Sequence, residues 1–352
     1  MGWSMDEVFE TVLRLSASDV VFVPGAPPMV WVSGIMQPVD SPSMTGPDVE
    51  AMFLPVLNPD QAARLEKTGD LDFSLGKHGI GRFRVNVHRQ RGTLSAAIRF
   101  IPHEVPSFER LKLPQRILDF ADLPRGLVLV TGGAGTGKST TLASMIDYIN
   151  RTYAYHMITL EDPIEFTFRH QKSIIEQREI GVDCPTFGSA LRHVVRQRPD
   201  VILVGEMRDL ETISAALTAA ETGHLVMASL HTVSAVETVN RIIDVFPAAQ
   251  QSQVRVQLAD TLQAVVCQTL FHDEKDGGMV PAVEIMASTP AIRRAIRDRE
   301  THLLAGMIET GKVLGMQTMD SAIASLAAGG RITAAAAMAK AHNPEKLAKM
   351  IV

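Results

Sequence analysis

The segment Gly132–Ser139 constrains the fold of this chain more than any other. It reads GGAGTGKS, which matches the pattern G-x-x-x-x-G-K-[ST], and it lies between the apolar run LVLVT and a helical segment that begins near Lys138. Glycines allow the backbone to wrap with its N–H groups pointing inward, and the helix N-terminus adds the positive end of its dipole. A strand, this loop and a helix in that order predict a phosphate-binding loop.

The predicted phosphate site extends by one residue beyond the motif. Its members are Gly132, Gly133, Ala134, Gly135, Thr136, Gly137, Lys138, Ser139 and Thr140. Lys138 is expected to reach the β- and γ-phosphates, and Ser139 is expected to hold Mg²⁺. The chain has no Asn-Lys-x-Asp motif for guanine, so ATP is favoured over GTP. The alternative is a glycine-rich turn that binds no ligand.

Acidic residues follow two further apolar runs. Glu206 ends VILVGE, where Gly205 replaces the Asp that usually precedes such a glutamate, and it is the predicted catalytic carboxylate. The run TLEDPIE places Glu161 and Glu165 after the strand MITL, and we expect these acids to supply the missing metal ligand. The alternatives are an ordinary glutamate at a strand end and a solvated acidic loop.

Two histidines bracket the apolar strand in GHLVMASLHT. His231 lies at its carboxyl end and His224 at its amino end. A histidine at the carboxyl end of a strand beside a phosphate loop is suited to sensing phosphate, which makes His231 a candidate catalytic residue. His224, at the other end of the strand, is a second candidate. A lone histidine is otherwise more often structural.

The pattern of apolar runs predicts an α/β protein with two parts. Beyond residue 107, unbroken apolar strands alternate with helical segments, which indicates a parallel sheet covered on both faces, and the last hundred residues read as mostly helical. Residues 1–101 read as a smaller α/β domain, PHEVP at 102–106 as an extended linker, and 107–352 as the larger domain.

Arginines follow one face of a predicted strand in the smaller domain. In Gly81–His88, Phe83 and Val85 alternate with Arg82 and Arg84, and Arg99 lies on the next strand. Stacked guanidinium groups are able to pair with a phosphate in two-point fashion. These three arginines are therefore candidate phosphate ligands, and the alternative is a solvated strand face.

Composition excludes several classes of protein. The 352 residues carry a formal net charge of -5, which argues against a nucleic-acid binder that relies on general phosphate attraction. The two distant cysteines form neither a metal spacing nor a disulfide framework. No apolar stretch approaches the roughly 18 residues of a membrane span, and the N-terminus does not resemble a signal peptide. We expect a cytoplasmic protein without direct membrane insertion.

Longer segments resemble one family, the PilT-type retraction ATPases of bacterial type IV pili, in the secretion ATPase superfamily. The similar segments are LVLVTGGAGTGKSTTLASMIDYIN, ITLEDPIEF, DVILVGEMRDLETISAALTAAETGHLVMASLHT, RIIDVFP, GMQTMD and, near the N-terminus, SASD, GRFRVN and RFIP. TPAIRRAIR also resembles the family's AIRNLIRE segment, which is linked to retraction. The resemblance covers essentially the whole chain.

The resemblance implies a homohexameric, Mg²⁺-dependent ATPase that powers pilus retraction and twitching motility. Each subunit would combine a PAS-like N-terminal domain with a RecA-like P-loop ATPase domain. EDPIEF would be the Asp box, VILVGE the Walker B strand and GHLVMASLHT the His box, and Arg82, Arg84 and Arg99 match arginine-bearing segments. The implied partners are an inner-membrane pilus platform protein and, indirectly, pilin, at the cytoplasmic face of the inner membrane.

The chain departs from the family's pattern in places. Val20 and Val21 follow SASD where the family has a histidine, and Arg198 replaces an acidic residue before Pro-Asp. The four-cysteine zinc insertion of the related assembly ATPases is missing, which favours retraction. The alternatives are a DotB-like ATPase of a type IVB secretion system and a nucleotide-sensing regulator without motor activity. A DNA translocase is disfavoured by the net charge.

Overall fold

The computed structural model describes residues 3–32, 34–77, 81–101 and 105–351, with the side chain of Lys77 excepted. It divides into two compact units. The N-terminal unit comprises Met1–Glu104 together with Glu165–Thr167, and the C-terminal unit comprises Val105–Ile164 and Phe168–Val352. Of the predicted linker 102–106, residues 102–104 lie outside the described residues.

The N-terminal unit is built on an antiparallel sheet. Its elements are α1 (Met5–Leu15), β1 (Asp19–Phe22), β2 (Met29–Val32), β3 (Ile35–Pro38), α2 (Gly46–Phe53), a 3₁₀ turn (Leu54–Val56), α3 (Pro59–Thr68), β4 (Asp70–Lys77), β5 (Gly81–Gln90) and β6 (Thr93–Ile101). Its described strands pair in the order β3-β2-β1-β6-β5-β4. The predicted strand Gly81–His88 is confirmed as part of β5, and β3, a short, exposed edge strand, was missed.

Two sequence patterns explain why this sheet is covered on one face. Ser4 and Glu7 form a capping box at the start of α1. Phe9 from that helix stacks on Phe83 of β5 with ring centroids 4.2 Å apart. Side chains along β5 alternate as predicted, with Phe83 and Val85 fully buried, so the arginines face the other way.

The C-terminal unit is built on a mostly parallel sheet. Its elements are α4 (Arg116–Asp119), β7 (Gly126–Thr131), α5 (Lys138–Thr152), β8 (His156–Glu161), β9 (Ile174–Glu179), α6 (Phe187–Val194), β10 (Val201–Val204), α7 (Leu210–Glu221), β11 (Leu225–Leu230), α8 (Ala235–Asp244), α9 (Ala248–Thr261), β12 (Leu262–His272), β13 (Met279–Ala287), α10 (Pro290–Arg297), α11 (Leu304–Thr310), α12 (Met319–Ala328), α13 (Ala334–Ala339) and α14 (Pro344–Ile351), with 3₁₀ turns at Thr301–Leu303 and Gly311–Leu314. The strand order among described residues is β13-β12-β7-β11-β10-β8-β9, and only the β12–β13 pair is antiparallel.

The buried strands of this sheet agree with the predicted parallel core. Every residue of β7, β10 and β11 is buried, and α5 and α7 pack on β7 and β11. The sequence reading missed β9, and it missed the β12–β13 hairpin because it treated the last hundred residues as mostly helical. Among the described residues, no helix has both the length and the hydropathy needed to cross a bilayer.

Candidate nucleotide-hydrolysis site

The strand order gathers the predicted functional segments at one edge of the sheet. β7 leads into the phosphate loop, β11 ends just before His231, β10 ends two residues before Glu206, and β8 ends at Glu161. These strands are parallel and lie side by side in the order β7-β11-β10-β8. Their carboxyl ends therefore lie in a row, which is where open α/β sheets bind ligands.

The phosphate loop is held in a conformation that glycine makes accessible. Gly135 and Gly137 have φ angles of 72° and 84°, in the left-handed region that side chains disfavour. Lys138 is buried, and its Nζ donates hydrogen bonds of 2.8 Å to the carbonyl oxygens of Gly132 and Gly133. Helix α5 has no side-chain cap, so its first N–H groups remain directed at the loop. The N–H groups of the loop therefore form a site that fits an anion, and the ammonium group of Lys138 lies beside it.

The backbone on both sides of Glu206 is fixed by the neighbouring strands. Gly205 N–H donates to the carbonyl of Leu160 at 2.7 Å, and its own carbonyl accepts from the hydroxyl of Ser229 at 2.6 Å. Met207 N–H donates to the carbonyl of Ser229 at 3.0 Å. Glu206 is thus anchored between β8 and β11, at the edge where the phosphate loop lies.

The carboxylate of Glu206 is engaged by two neighbours. Arg208 Nε lies 2.5 Å and His231 Nε2 lies 2.9 Å from Oε1 of Glu206, while no contact reaches Oε2 among the described residues. Burial raises the pKa of Glu206, but Arg208 and His231 outweigh burial, so the pKa lies below its ordinary value. Glu206 is therefore ionised at neutral pH and retains one oxygen for a water molecule.

Glu161 occupies a buried position at the end of β8. Its Oε1 accepts hydrogen bonds from the hydroxyl of Thr159 at 2.6 Å and from Nε2 of Gln177 at 3.2 Å. A side chain at Gly205 would place its Cβ 3.1 Å from the carbonyl oxygen of Leu160 and 3.3 Å from Cα of Glu161. The close approach of β8 and β10 thus explains the glycine that replaces the usual Asp.

The donors at this edge suit Mg²⁺ only with help from a nucleotide. Ser139 offers a half-buried hydroxyl, and Glu161 offers a carboxylate that is already oriented. In the part of the chain that the structure describes, no group of three or more His, Cys, Asp or Glu side chains is gathered to hold a metal. Mg²⁺ is commonly held by one or two protein oxygens, waters and substrate phosphates, and this donor set fits that arrangement.

The structure does not bring every predicted residue to this edge. His224 precedes the amino end of β11, where its Nδ1 lies 2.9 Å from the carbonyl oxygen of Ala219, so it is separated from His231 by the whole strand. It does not reach the nucleotide site of its own subunit. Glu165 is exposed and belongs to the N-terminal unit, and its place at a metal stays a prediction.

The predicted arginines share one face of the N-terminal sheet. Arg84 lies directly opposite Arg99 in the pairing of β5 with β6, and Arg82 is two residues away on the same face. Arg99 Nε forms a 2.7 Å ion pair with Asp19. Arg84, Arg99, Asp19 and Asp72 line an open groove of about 490 Å³. Their roles at a nucleotide stay predictions.

Sequence reasoning missed two residues of the site. Arg208 contacts the carboxylate of Glu206, and the sequence feature that could have identified it is a cation two residues after Glu206. Gln268 lies in β12 and binds the phosphate loop through the carbonyl of Thr136. The sequence feature that could have identified Gln268 is a polar side chain inside the apolar run AVVCQTLF.

A phosphate loop on a parallel sheet, with an anchored carboxylate two strands away, defines the chain as a P-loop ATPase of RecA-like fold. The family model described as "Type II/IV secretion system protein" matches residues 67–325. The type IV pilus retraction ATPase PilT of Pseudomonas aeruginosa is 46% identical over 94% of this chain and 96% of its own length. A twitching motility protein of Neisseria gonorrhoeae is 45% identical over 91% of this chain and 86% of its own length.

A solved structure agrees with these relatives. A crystal structure of the pilus retraction motor PilT with bound ADP superposes with a TM-score of 0.92 at 44% identity, covering 99% of both chains. The chain belongs to the Type II/IV secretion system protein family, among its PilT-type pilus retraction ATPases. The predicted family, fold class and ATPase activity are confirmed.

Proposed function

We propose that this chain hydrolyses ATP to ADP and phosphate as the motor that retracts a type IV pilus. The observation that carries the proposal is its similarity to PilT along nearly the whole chain. Retraction removes pilin from the pilus base, which requires mechanical work. An ATPase that couples hydrolysis to movement of its subunits supplies that work.

The phosphates of ATP would bind in the loop between β7 and α5. Lys138 now donates to the carbonyl groups of Gly132 and Gly133. Charged phosphate oxygens are stronger acceptors than carbonyls, so the ammonium group would exchange these partners for the β- and γ-phosphates. The loop already has this conformation before the exchange, with Gly135 and Gly137 in the left-handed region.

The adenine ring would occupy a cavity beside the amino end of α5. This cavity has a volume of about 150 Å³ and adjoins Gly137 and Thr140 of the loop. Its walls are mainly apolar, which suits a flat aromatic base. The other lining residues are Arg110, Leu111, Leu113, Thr141, Gln268, Leu270, Met279 and Pro281.

Glu206 would activate the attacking water. Its Oε1 is held by Arg208 and His231, so Oε2 would be the oxygen that accepts a proton from water. A positioned general base of this kind typically contributes about 10²–10⁴-fold in rate. His231, at the end of the intervening strand, would register the γ-phosphate and transmit its loss to Glu206.

Mg²⁺ would be held by Ser139 and by the acids Glu161 and Glu165, together with the nucleotide. When bound, the ion would neutralise charge on the phosphates. Glu161 is the better supported of the two acids because Thr159 and Gln177 already orient its carboxylate.

The motor would be a homohexamer in which Arg82, Arg84 and Arg99 act on a neighbour's nucleotide. Support comes from their common outward face in the N-terminal unit. We assign an inner-membrane pilus platform protein as the partner, and pilin as the indirect substrate, at the cytoplasmic face of the inner membrane.

Deletion of the gene tests this role, scored for surface pili and for twitching. A retraction motor predicts cells that carry pili, in normal or increased number, but do not twitch, since assembly continues while removal stops. A plasmid copy should restore twitching, and a copy with Lys138→Ala should not. Loss of pili would instead indicate assembly, and unchanged piliation and twitching with a secretion defect would indicate a DotB-like role.

A further inference from the structure

Gln268 is a buried polar residue on an otherwise apolar strand. It is 4% exposed and lies in β12, which runs parallel to β7. The preceding residue, Cys267, lies opposite Thr131, the last residue of β7. Gln268 is therefore next to the point where β7 turns into the phosphate loop. A buried amide normally needs partners for both of its ends.

Both ends of the Gln268 amide are hydrogen-bonded, and each to a different part of the phosphate site. Nε2 donates to the carbonyl oxygen of Thr136 in the loop at 2.8 Å, and Oε1 accepts from the hydroxyl of Thr141 in α5 at 2.8 Å. The reversed amide would set two acceptor oxygens against each other at Thr136. The chemistry of the partners thus fixes the orientation of the amide.

The loop also packs on Gln268 through its glycines. An added Cβ at Gly132 would lie 2.3 Å from the main-chain oxygen of Gln268, and one at Gly137 would lie 2.9 Å from its Nε2. Side chains at these positions would force the loop and β12 apart. The glycines of the loop are therefore needed for contact with Gln268 as well as for backbone conformation.

The bond to Thr136 has a consequence for the next residue. In a trans peptide the carbonyl and the following N–H point in opposite directions. Because the carbonyl of Thr136 points at Gln268, the N–H of Gly137 points away from β12. That N–H belongs to the anion cradle of a phosphate loop.

We propose that Gln268 is a positioning residue for nucleotide binding. Its amide locks the peptide between Thr136 and Gly137, so that the Gly137 N–H is presented to the phosphates before they arrive. The inference rests on phosphate binding by this loop, and it is independent of the role in pilus retraction. It assigns to β12, a strand outside every motif of the sequence, a direct part in forming the phosphate site.

Binding of ADP and of inorganic tripolyphosphate to the purified full-length protein tests the proposal by calorimetry. Gln268→Met keeps the length of the side chain and removes the amide. We expect about three- to tenfold weaker binding, the effect of one hydrogen bond. Binding of tripolyphosphate should weaken by this factor, because the lost hydrogen bond is to the phosphate loop, and binding of ADP should weaken at least as much, because Gln268 also lines the cavity proposed for adenine. Gln268→Glu should bind still less well, since a carboxylate would face the carbonyl of Thr136.

A pH series separates positioning from simple packing. Protonation of the carboxyl in Gln268→Glu restores a donor to Thr136, so its affinity should approach that of wild type as the pH falls from 8 to 6. Gln268→Met has no such group and should keep a constant ratio to wild type. Parallel pH curves for the two variants would overturn the proposal.

Gln263→Met is the matched control. Gln263 lies at the other end of β12 and accepts a hydrogen bond from Arg293 at 3.2 Å, away from the loop. It should bind both ligands as wild type does, and equal weakening in this control would indicate a general effect on the strand. If Gln268→Met does not fold, Thr141→Val, which frees the other end of the amide, should still weaken both ligands.

Three further outcomes are decisive. Binding of tripolyphosphate within twofold of wild type by both Gln268 variants would contradict the inference and leave the ATPase assignment intact. Weaker ADP binding with unchanged tripolyphosphate binding would place the effect at the base and would also contradict it. Absence of binding by the wild-type protein itself would count against the proposed phosphate site.

Discussion

The guanidinium of Arg208 forms an ion pair with the carboxylate of Glu206, with Nε 2.5 Å from Oε1. His231 contacts the same oxygen at 2.9 Å. The Arg208 side chain is 73% exposed, while the Glu206 side chain is only 17% exposed. The carboxylate is consequently held in place and kept ionised by residues of its own C-terminal unit.

Glu206→Gln is expected to separate binding from hydrolysis. The amide keeps the size of the side chain but does not accept the proton of the attacking water. ATP turnover should fall by about 10²–10⁴-fold, while the Kd for ATP changes by less than threefold. Steady-state phosphate release and equilibrium binding measure the two effects. Normal turnover in this variant would remove Glu206 as the catalytic carboxylate.

Arg208→Gln is expected to shift the pH dependence of turnover. Burial raises the pKa of Glu206, and Arg208 gives the largest opposing effect. Without Arg208 the pKa of Glu206 rises, so its carboxylate becomes protonated at a higher pH than in the wild type. The acid limb of the kcat profile therefore moves to higher pH. Turnover measured from pH 4 to 8.5 tests this, because the pKa of Glu206 in the wild type lies below its ordinary value. Arg151→Gln is the control, because Arg151 is exposed and pairs with Asp147 inside α5, not with Glu206; identical profiles for the Arg208 variant and wild type would refute the prediction.

The parts of the site that are contiguous in sequence could be predicted. The loop residues around Lys138 act through their own backbone, so a short motif is enough to identify them. The alternation of Phe83 and Arg84 likewise follows from the period of a strand, and the structure confirms it. Glu206 could be placed at a strand end because it follows directly on the apolar run VILVG.

Contacts between distant segments could not be predicted. Gln268 lies 132 residues from Thr136, and nothing local indicates that β12 pairs with β7. His224 and His231 flank opposite ends of the same apolar run, and the sequence alone does not show which end lies beside the phosphate loop. The direction of β11 separates them, since only its carboxyl end lies beside the phosphate loop.

The buried carboxylate of Asp273 and the two cations that contact it are expected to make the stability of the fold depend on pH. Arg331 and Lys112 both contact the buried Asp273, with Lys112 Nζ at 2.9 Å, and they hold the pKa of this carboxyl well below its ordinary value. Because the folded pKa is lower than the unfolded one, the stabilisation is complete above the unfolded value of about 3.9 and is lost as the pH falls through the folded value.

Asp273→Asn tests this in chemical unfolding. The variant should be less stable than wild type by a constant amount between pH 5 and 8, and the difference should shrink below about pH 4. Asp298→Asn is the control: it removes one partner of the exposed ion pair with Arg294 and should change the free energy of unfolding very little. A difference that does not vary with pH would mean that packing, and not charge, determines the effect at Asp273.

The arginine face is expected to act on a neighbouring subunit. A protein with Arg82, Arg84 and Arg99 all changed to Ala should be nearly inactive, since an arginine that stabilises the transferring phosphate contributes about 10³-fold or more. Lys138→Ala should also be inactive, because its own nucleotide site is damaged. In mixed hexamers, a site with an intact Lys138 adjoins a neighbour with intact arginines, and such mixtures should regain measurable turnover.

Subunit exchange and a phosphate-release assay measure this recovery over a series of mixing ratios. Recovery should be greatest near equal proportions, where most interfaces join one variant to the other. Mixing each variant with itself is the control and should recover nothing. If mixed hexamers assemble and no ratio restores turnover, the arginines act within their own subunit or serve only the fold of the N-terminal sheet.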